Sequence, residues 1–436
     1  MSLRCGVIRM LKTTLLAGAA ALLISAGPPT ASNDTIDAIA RDYVVLALRA
    51  HALDPDMVSV ARTDADALAQ AKDAKGDKTA IATDAVKLVE RLDALSNDGS
   101  GTDRMRQRHL RAFLVSLRSQ LAPPDNADVE RQVREIYGFT PRFEPLARFD
   151  PAIDRLQQAM PGAGSIGDRI GDLRKTAIVP KDRIPAVFEA ALAECRRRTL
   201  QHIKLPPEHV EVQYPADPTF PGANNYVGNG KSIAAISTDY PENIDQLLIL
   251  ACHEVYPGHH VHYLTLDTEL AGRRHWPEFE VDMNFGPLVP VAEGVAETAT
   301  GIAFSPGERL AFERDRLYPL AGLRMQHPEQ WVAFWQARPA VLGATSTVAR
   351  DYLAGKLEPE QAKAMFMRYR LQDARAASQL LKIISVLGPY VIASDLGWQA
   401  TDRIMRGKSR AEQWRLLHKI ESEPMLLDDV SALARQ

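Results

Sequence analysis

A proline-glycine pair interrupts an apolar helical run of this chain at the point where histidines cluster. Residues 247–262 read LLILACHEVYPGHHVH. Proline inside a helix removes a hydrogen bond and collides with the carbonyl group four residues earlier, here that of His253. The sequence therefore demands a local departure from regular helix geometry. Departures of this kind are expected mainly at functional sites.

The residues around the break are of the types that commonly bind zinc in proteins. Five of the eleven histidines lie between His253 and His275, and Glu254 follows the first of them. In the common zinc helix a second histidine stands four residues after the first, and the glutamate acts as general base. Here that position is Pro257, which cannot bind a metal, so the second ligand must come from further along the chain.

Two histidines compete for the place of the second ligand. On a regular helix, His260 would lie only about 20° from the face of His253, and His259 about 120° away. A kink or bulge at Pro257-Gly258 would bring His259 to the metal instead. Both residues are therefore predicted, with His259 preferred because many zinc-helix motifs also end in Gly-His.

The motif HEVYPGHH, residues 253–260, resembles the His-Glu-x-x-Pro-Gly-His-His signature of the bacterial family catalogued as domain of unknown function 885, a relative of the gluzincin-like zinc metallopeptidases. The segment VAEGVAET, residues 291–298, is similar to the Glu-Gly-Trp-Ala segment of that family and to a segment of zinc aminopeptidases. The resemblance implies that Glu293 is the third ligand. Two histidines, one carboxylate and an open position are typical of a catalytic zinc site.

Other segments depart from the family pattern. Residues 388–398 occupy the place of a Pro-Gly-Gln-Ala-x-Ser-Tyr-Lys-x-Gly segment, and Ser394 and Asp395 replace its Tyr-Lys pair. Tyr390 is expected to supply the hydroxyl that stabilises the oxyanion in zinc peptidases, with a core aromatic as the alternative. Glu297, one turn after Glu293, is either a partner of a ligand histidine or a surface charge.

These features predict an exported zinc-dependent hydrolase that cleaves a peptide or a small amide substrate. Zinc would activate a water molecule, and Glu254 would act as general base. One alternative is a catalytically degenerate binding protein of the cell envelope that retains its metal. Another is a histidine network that serves the structure without a metal.

Residues 1–31 are predicted to be a signal peptide. Arg4, Arg9 and Lys12 precede an apolar stretch, Leu15 to Ala26, that is too short for an ordinary membrane span. The mature chain is therefore expected in the periplasm or secreted, without a stable membrane span. A net charge of −3 gives no basic excess, so nucleic acid is not a predicted partner.

Helical periodicity dominates the rest of the chain, so a mainly α, helical metallopeptidase-like fold is predicted, with a few short strands beside the zinc helix. Residues 32–205 are expected to form an N-terminal helical subdomain and residues 206–436 the catalytic subdomain, with a cleft between them. Ser232 to Ser237 is predicted to be an edge strand. Cys195 and Cys252 either pair or leave Cys252 as a buried free thiol.

Overall fold

The computed structural model describes residues 35–60, 65–73, 76–95, 99–123 and 128–435. The predicted signal peptide, residues 1–31, lies outside the described residues. Helices make up most of the described chain and the strands are few and short, so the mainly α prediction is confirmed.

The first part of the described chain is a series of helices joined by short connections. Several of them begin where a polar side chain caps a free backbone N–H group; Thr35, for example, accepts a hydrogen bond from the amide of Ala38. In chain order these helices are α1 (Ile36–Leu53), α2 (Ala65–Asp73), α3 (Lys78–Asp93), α4 (Gly101–Leu121), α5 (Val129–Tyr137), α6 (Asp150–Ala159), α7 (Ile166–Lys175) and α8 (Ile184–Thr199).

The remaining helices include the two that carry His259 and Glu293. Two of them, on either side of the Pro-Gly break, are α9 (Ile244–Leu250) and α10 (His259–Leu266). They are followed by α11 (Val289–Ala303), α12 (Pro306–Phe312), α13 (Tyr318–Leu320), α14 (Pro328–Ala337), α15 (Ala344–Leu353), α16 (Pro359–Tyr369), α17 (Ala374–Leu387), α18 (Tyr390–Met405), α19 (Arg410–Ser422) and α20 (Leu427–Leu433).

Five strands form two small sheets in the described chain. They are β1 (Val58–Val60), β2 (His209–Gln213), β3 (Gly222–Gly228), β4 (Lys231–Ile236) and β5 (Val281–Met283). Strands β1 and β5 pair antiparallel, and the other three lie in the order β2-β4-β3.

The prediction that Ser232 to Ser237 forms an edge strand is wrong about the place of this strand in the sheet. It corresponds to β4, which pairs with β2 on one side and with β3 on the other. The run Ala234–Ile236 is buried throughout, as is typical of a strand enclosed by its neighbours. The edge that faces α10 belongs to β3 instead.

The hydrophobic packing does not follow the predicted boundary at residue 205. Apolar side chains of α1, α3 and α4 pack against residues between Leu266 and Leu288. Buried residues of α6 to α8 share a second cluster with α9, α11 and α14. A buried ion pair reinforces the packing of α4 against residues 266–288. In this pair, Arg106 donates two hydrogen bonds to the carboxylate of Glu278, at 2.6 and 3.0 Å.

Helix α9 lies at the centre of the larger cluster. Leu247 and Leu248 have no exposed surface, so this helix has little freedom to move. A disulfide bond between Cys195 of α8 and Cys252 fixes the chain just before His253, with the two Cα atoms 5.6 Å apart. The two cysteines therefore pair, and Cys252 is not a free thiol.

None of the described helices is by itself long and apolar enough to cross a membrane. Helices α17 and α18 have the necessary length and composition only when taken together, and the chain bends by 109° between them.

Candidate metal centre

The chain leaves regular helix geometry immediately before the Pro-Gly pair. Residues Ala251–Val255 form a π-helical turn that continues α9. The amide of Gly258 then donates a hydrogen bond to the carbonyl oxygen of Cys252, at 2.9 Å, and α10 starts at His259. A β-carbon on Gly258 would overlap the carbonyl oxygen of His253. Glycine is therefore required where the chain doubles back on the π-helical turn.

This break brings His253 and His259 together. Their ring centroids are 4.7 Å apart, with the rings nearly perpendicular. Nε2 of His259 lies 3.5 Å from Oε1 of Glu293, and Nε2 of His253 lies 4.0 Å from Oε2. One ligand atom from each of the three residues lies within 4.8 Å of the other two.

The three side chains fit a zinc ion. Zinc is bound by histidine nitrogen and carboxylate oxygen at about 2.0–2.2 Å, which places tetrahedral ligand atoms roughly 3.3–3.6 Å apart. The separation of His259 and Glu293 is within that range, and a shift of about half an ångström would bring His253 into it. All three side chains keep 12 to 14% of their surface exposed, so a water molecule or a substrate could reach a fourth position.

His260, the other predicted ligand, is not part of this group. Its side chain is fully buried, its Nδ1 lies 2.8 Å from the hydroxyl of Ser232, and its Nε2 lies 3.4 Å from Glu208. The regular-helix argument favoured His260 because it assumed an uninterrupted rotation of the side chains. The π-helical turn and the break at Gly258 change that rotation, and His259 takes the position facing His253.

Helix α18 holds Glu293 in place. The hydroxyl of Tyr390 donates a hydrogen bond of 2.8 Å to Oε1 of Glu293, and that of Ser394 lies 3.3 Å from Oε2. Burial and the charge of Glu293 raise the pKa of Tyr390 well above its usual value, so the hydroxyl stays protonated as a donor. In this structure the Tyr390 hydroxyl is therefore used to orient a candidate ligand, which differs from the predicted role in oxyanion stabilisation.

The ionised state of Glu293 suits a metal ligand. Burial acts to raise the pKa of Glu293, but the hydrogen bond and charge of His259 hold it at about 2. Burial also acts to lower the pKa of His259, and Glu293 overcomes this effect and raises it. Glu293 is therefore ionised at neutral pH, the form that binds a cation.

Tyr263 packs beside His259 and links it to the small β1–β5 sheet. The ring centroids of Tyr263 and His259 are 6.2 Å apart and the rings are stacked. The hydroxyl of Tyr263 donates a hydrogen bond to Asp282 of β5. Burial raises the pKa of Asp282 to about 7, against the effect of this hydrogen bond. The sheet thus braces one side of the predicted metal site.

Two further carboxylates stand beside the triad in the sequence: Glu254 directly follows His253, and Glu297 is four residues after Glu293. The side chain of Glu254 is 8% exposed, with its Oε1 at 4.0 Å from Nε2 of His253. This location suits a base that acts on a water molecule at the open position. Glu297 forms an ion pair with Arg338 at 3.7 Å. Among the described residues, no hydrogen bond or ion pair joins Glu297 to either histidine ligand.

The sequence did not single out Ser394 or Arg338. Ser394 was noted only as a departure from the family motif, although its four-residue spacing from Tyr390 places both on one face of α18. That spacing was the signal that could have identified it.

Glycines allow α11 and α18 to pack closely enough for these contacts. A β-carbon on Gly294 would lie 2.6 Å from the carbonyl oxygen of Gly397 and would also collide with the hydroxyl of Thr401. We expect Gly294→Ala to lower the free energy of unfolding by roughly 2–3 kcal/mol, because backbone atoms cannot move aside cheaply. It should also weaken zinc binding, since α11 carries Glu293.

Gly301 provides a control on the same helix, because a β-carbon there would meet no atom within 4 Å. Gly301→Ala is expected to stabilise the protein by about 0.5–1 kcal/mol. Chemical denaturation of both variants tests the comparison. Equal effects of the two substitutions would contradict the role given to the α11–α18 contact.

Comparisons with known proteins give a limited result. Neither a family model nor a curated protein matches the sequence. A solved "putative lipoprotein" from Colwellia psychrerythraea is 13% identical, with a TM-score of 0.47, over 81% of this chain and 66% of that chain, just under two thirds of its length. Another, of unknown function, from Shewanella oneidensis is 13% identical, with a TM-score of 0.44, over 85% of this chain and 76% of that chain.

Proposed function

We propose that this protein is an exported, zinc-dependent hydrolase that cleaves peptide or other amide bonds, acting in the periplasm or outside the cell. The observation that carries the proposal is the convergence of His253, His259 and Glu293 beside Glu254. Two imidazoles, one carboxylate and a neighbouring second carboxylate are the donor set and base of catalytic zinc sites.

A bound zinc ion would act as a Lewis acid toward the substrate carbonyl and the attacking water. His253, His259 and Glu293 would hold it, and Tyr390 would keep the Glu293 carboxylate oriented. Glu254 would take a proton from the water as its oxygen bonds to the carbonyl carbon. The C–N bond then breaks, and Glu254 returns the proton to the leaving nitrogen.

Strand β3 gives the substrate a backbone to pair with. In the described chain it pairs with β4 alone, so its other edge has no strand partner. The ring of Tyr226, on β3, stacks 6.4 Å from that of Tyr263, which packs against His259. An extended peptide added to this edge would gain main-chain hydrogen bonds regardless of its side chains.

A metal-retaining binding protein is the second candidate. It is favoured by the bond between Tyr390 and Glu293, which occupies the hydroxyl predicted to stabilise the oxyanion. In such a protein the same three residues would hold zinc, and bound peptides or amides would stay intact.

Metal analysis and an amidase assay test the proposal. The purified mature chain should contain about one zinc per molecule, lose it with activity on chelation, and regain both when zinc is added. N-acylated peptides are the substrates, and released amino groups are counted. Zinc binding without cleavage would support the second candidate. Less than about half a zinc per chain, with no uptake of added zinc, would contradict both.

A further inference from the structure

A pocket opens one helical turn away from the predicted metal site. Its volume is about 190 Å³, the space of about six water molecules, which suits one amino-acid residue. Glu297 and Trp398 on its wall stand four residues after Glu293 and Ser394. Residues four apart on a helix share a face, so both helices lead from the site to the pocket.

Helix α9 also connects the predicted metal site with the pocket. Ile249 of α9 lines the pocket and stands four residues before His253, across the junction with the π-helical turn. Three elements that carry residues of the site therefore also carry residues of the pocket. Four residues of a helix rise about 6 Å, and successive residues of a peptide are about 3.8 Å apart. The pocket is thus at the distance of the residue that follows the cleaved bond.

Arg338 is the pocket arginine whose side chain donates no hydrogen bond to any of the described residues. Two other pocket arginines are committed, Arg309 to Asp245 and Glu313, and Arg406 to Asp402 at 2.5 Å. The guanidinium of Arg338 forms a 3.7 Å ion pair with Glu297.

The guanidinium of Arg338 lies 4.9 Å from the ring centroid of Trp398, which holds it by a cation–π contact. Its side chain is 25% exposed. A guanidinium has five N–H donors in a planar fork that matches a carboxylate, and Glu297 does not saturate them. Desolvation of this cation lowers its pKa, and an incoming carboxylate would offset that cost.

We propose that this pocket binds the free α-carboxylate of the substrate's C-terminal residue, with Arg338 as the group that selects it. Ile249, Trp398 and Met405 would contact the apolar side chain of that residue. This deepens the proposed function, on which it rests for the identity of the reaction: the enzyme would remove the last residue of a peptide or split an N-acyl amino acid.

A binding measurement tests the pocket without relying on turnover. The probes are N-acetyl-leucine, which has a carboxylate, and N-acetyl-leucinamide, which does not. They are titrated into the Glu254→Gln protein, and Trp398 fluorescence and calorimetry report binding. The carboxylate should bind about 30-fold more tightly, the effect of one charged hydrogen-bonded pair. Equal affinities of the two probes would overturn the proposal.

Variants of Arg338 locate the selectivity. Arg338→Gln, in the same Glu254→Gln background, should remove the preference, whereas Arg403→Gln, on an exposed part of α18, should keep it. If Arg338→Gln does not fold, Arg338→Lys decides, since loss of the planar fork should cost about tenfold of the preference. A preference that survives at full size in the variant that folds would overturn the assignment.

Hydrolysis separates this inference from the proposed function. In the wild-type protein, cleavage of the acid with little cleavage of the amide supports both. Equal cleavage of the two probes keeps the hydrolase and removes the carboxylate pocket. Selective binding of the acid without any cleavage keeps the pocket and removes the hydrolase.

Discussion

Glu254→Gln is expected to reduce kcat/KM for amide hydrolysis by about 10³-fold or more while the protein keeps its zinc. General-base catalysis contributes about 10²–10⁴-fold, and glutamine has nearly the shape of glutamate but cannot accept the proton. Glu254 lies next to His253 and is not one of the three residues grouped as ligands. Steady-state kinetics and metal analysis of the same preparation measure the two effects.

Glu269→Gln serves as the control. Glu269 is a carboxylate in the segment Asp267–Arg273 that follows α10, and it pairs with Arg273 away from the triad. This variant should match the wild-type protein in rate and zinc content. Unchanged hydrolysis in Glu254→Gln would remove Glu254 as the base. Loss of zinc would instead make it a ligand.

His259→Gln is expected to lower zinc affinity at least about 100-fold. In structural zinc sites, an apparent binding free energy of about 10–16 kcal/mol is shared by four protein ligands, so one ligand accounts for several kcal/mol. His259 contributes the nitrogen 3.5 Å from Glu293, and no other described histidine besides His253 belongs to the group. Competition with a chromophoric chelator measures the affinity directly.

His260→Gln is the matched variant, one residue further along the same helix. It should retain zinc but lower stability, because the imidazole is fully buried between Ser232 and Glu208. A reversed result, with zinc lost from His260→Gln and kept in His259→Gln, would show that the ligand is the one favoured by regular helix geometry. Loss of zinc from both would indicate that the whole break is displaced.

The sequence determined the candidate site to the extent that it depends on local chemistry. The costs of Pro257 and Gly258 pointed to a distorted helix, and the structure has a π-helical turn there. The choice between His259 and His260 could not be made with an ideal helix. It depends on how far the turn unwinds, which in turn depends on the close approach of Gly258 to the π-helical turn.

Long-range packing was less predictable. The edge position of β3 follows from the order of three strands, and the sequence analysis predicted only one of them, at Ser232 to Ser237. Arg338 is in a short helical segment after α14, and nothing in its neighbourhood of sequence distinguishes it from a surface arginine. Its significance arises only when α11 and α18 place Glu297 and Trp398 beside it.

The cysteine pair shows a related limit. The sequence predicts an exported chain with two cysteines after the predicted signal peptide, which permits a disulfide bond but does not establish that the two residues are close. The bond depends on the packing of α8 against the start of the π-helical turn, 57 residues away along the chain. Such packing follows from the shared core of residues on both sides of residue 205.

The pairing of β1 with β5 has a consequence for how the molecule is made. Ser59 hydrogen-bonds to Asn284 across 225 positions of sequence, and Asp282, which holds Tyr263, sits in the same strand pair. During synthesis, β1 is made long before β5. The N-terminal helices and β1 therefore stay incompletely packed until residues near 284 have been synthesised. A fragment that begins at residue 206 would carry every predicted ligand but would lack β1, the strand that pairs with β5 at Asp282.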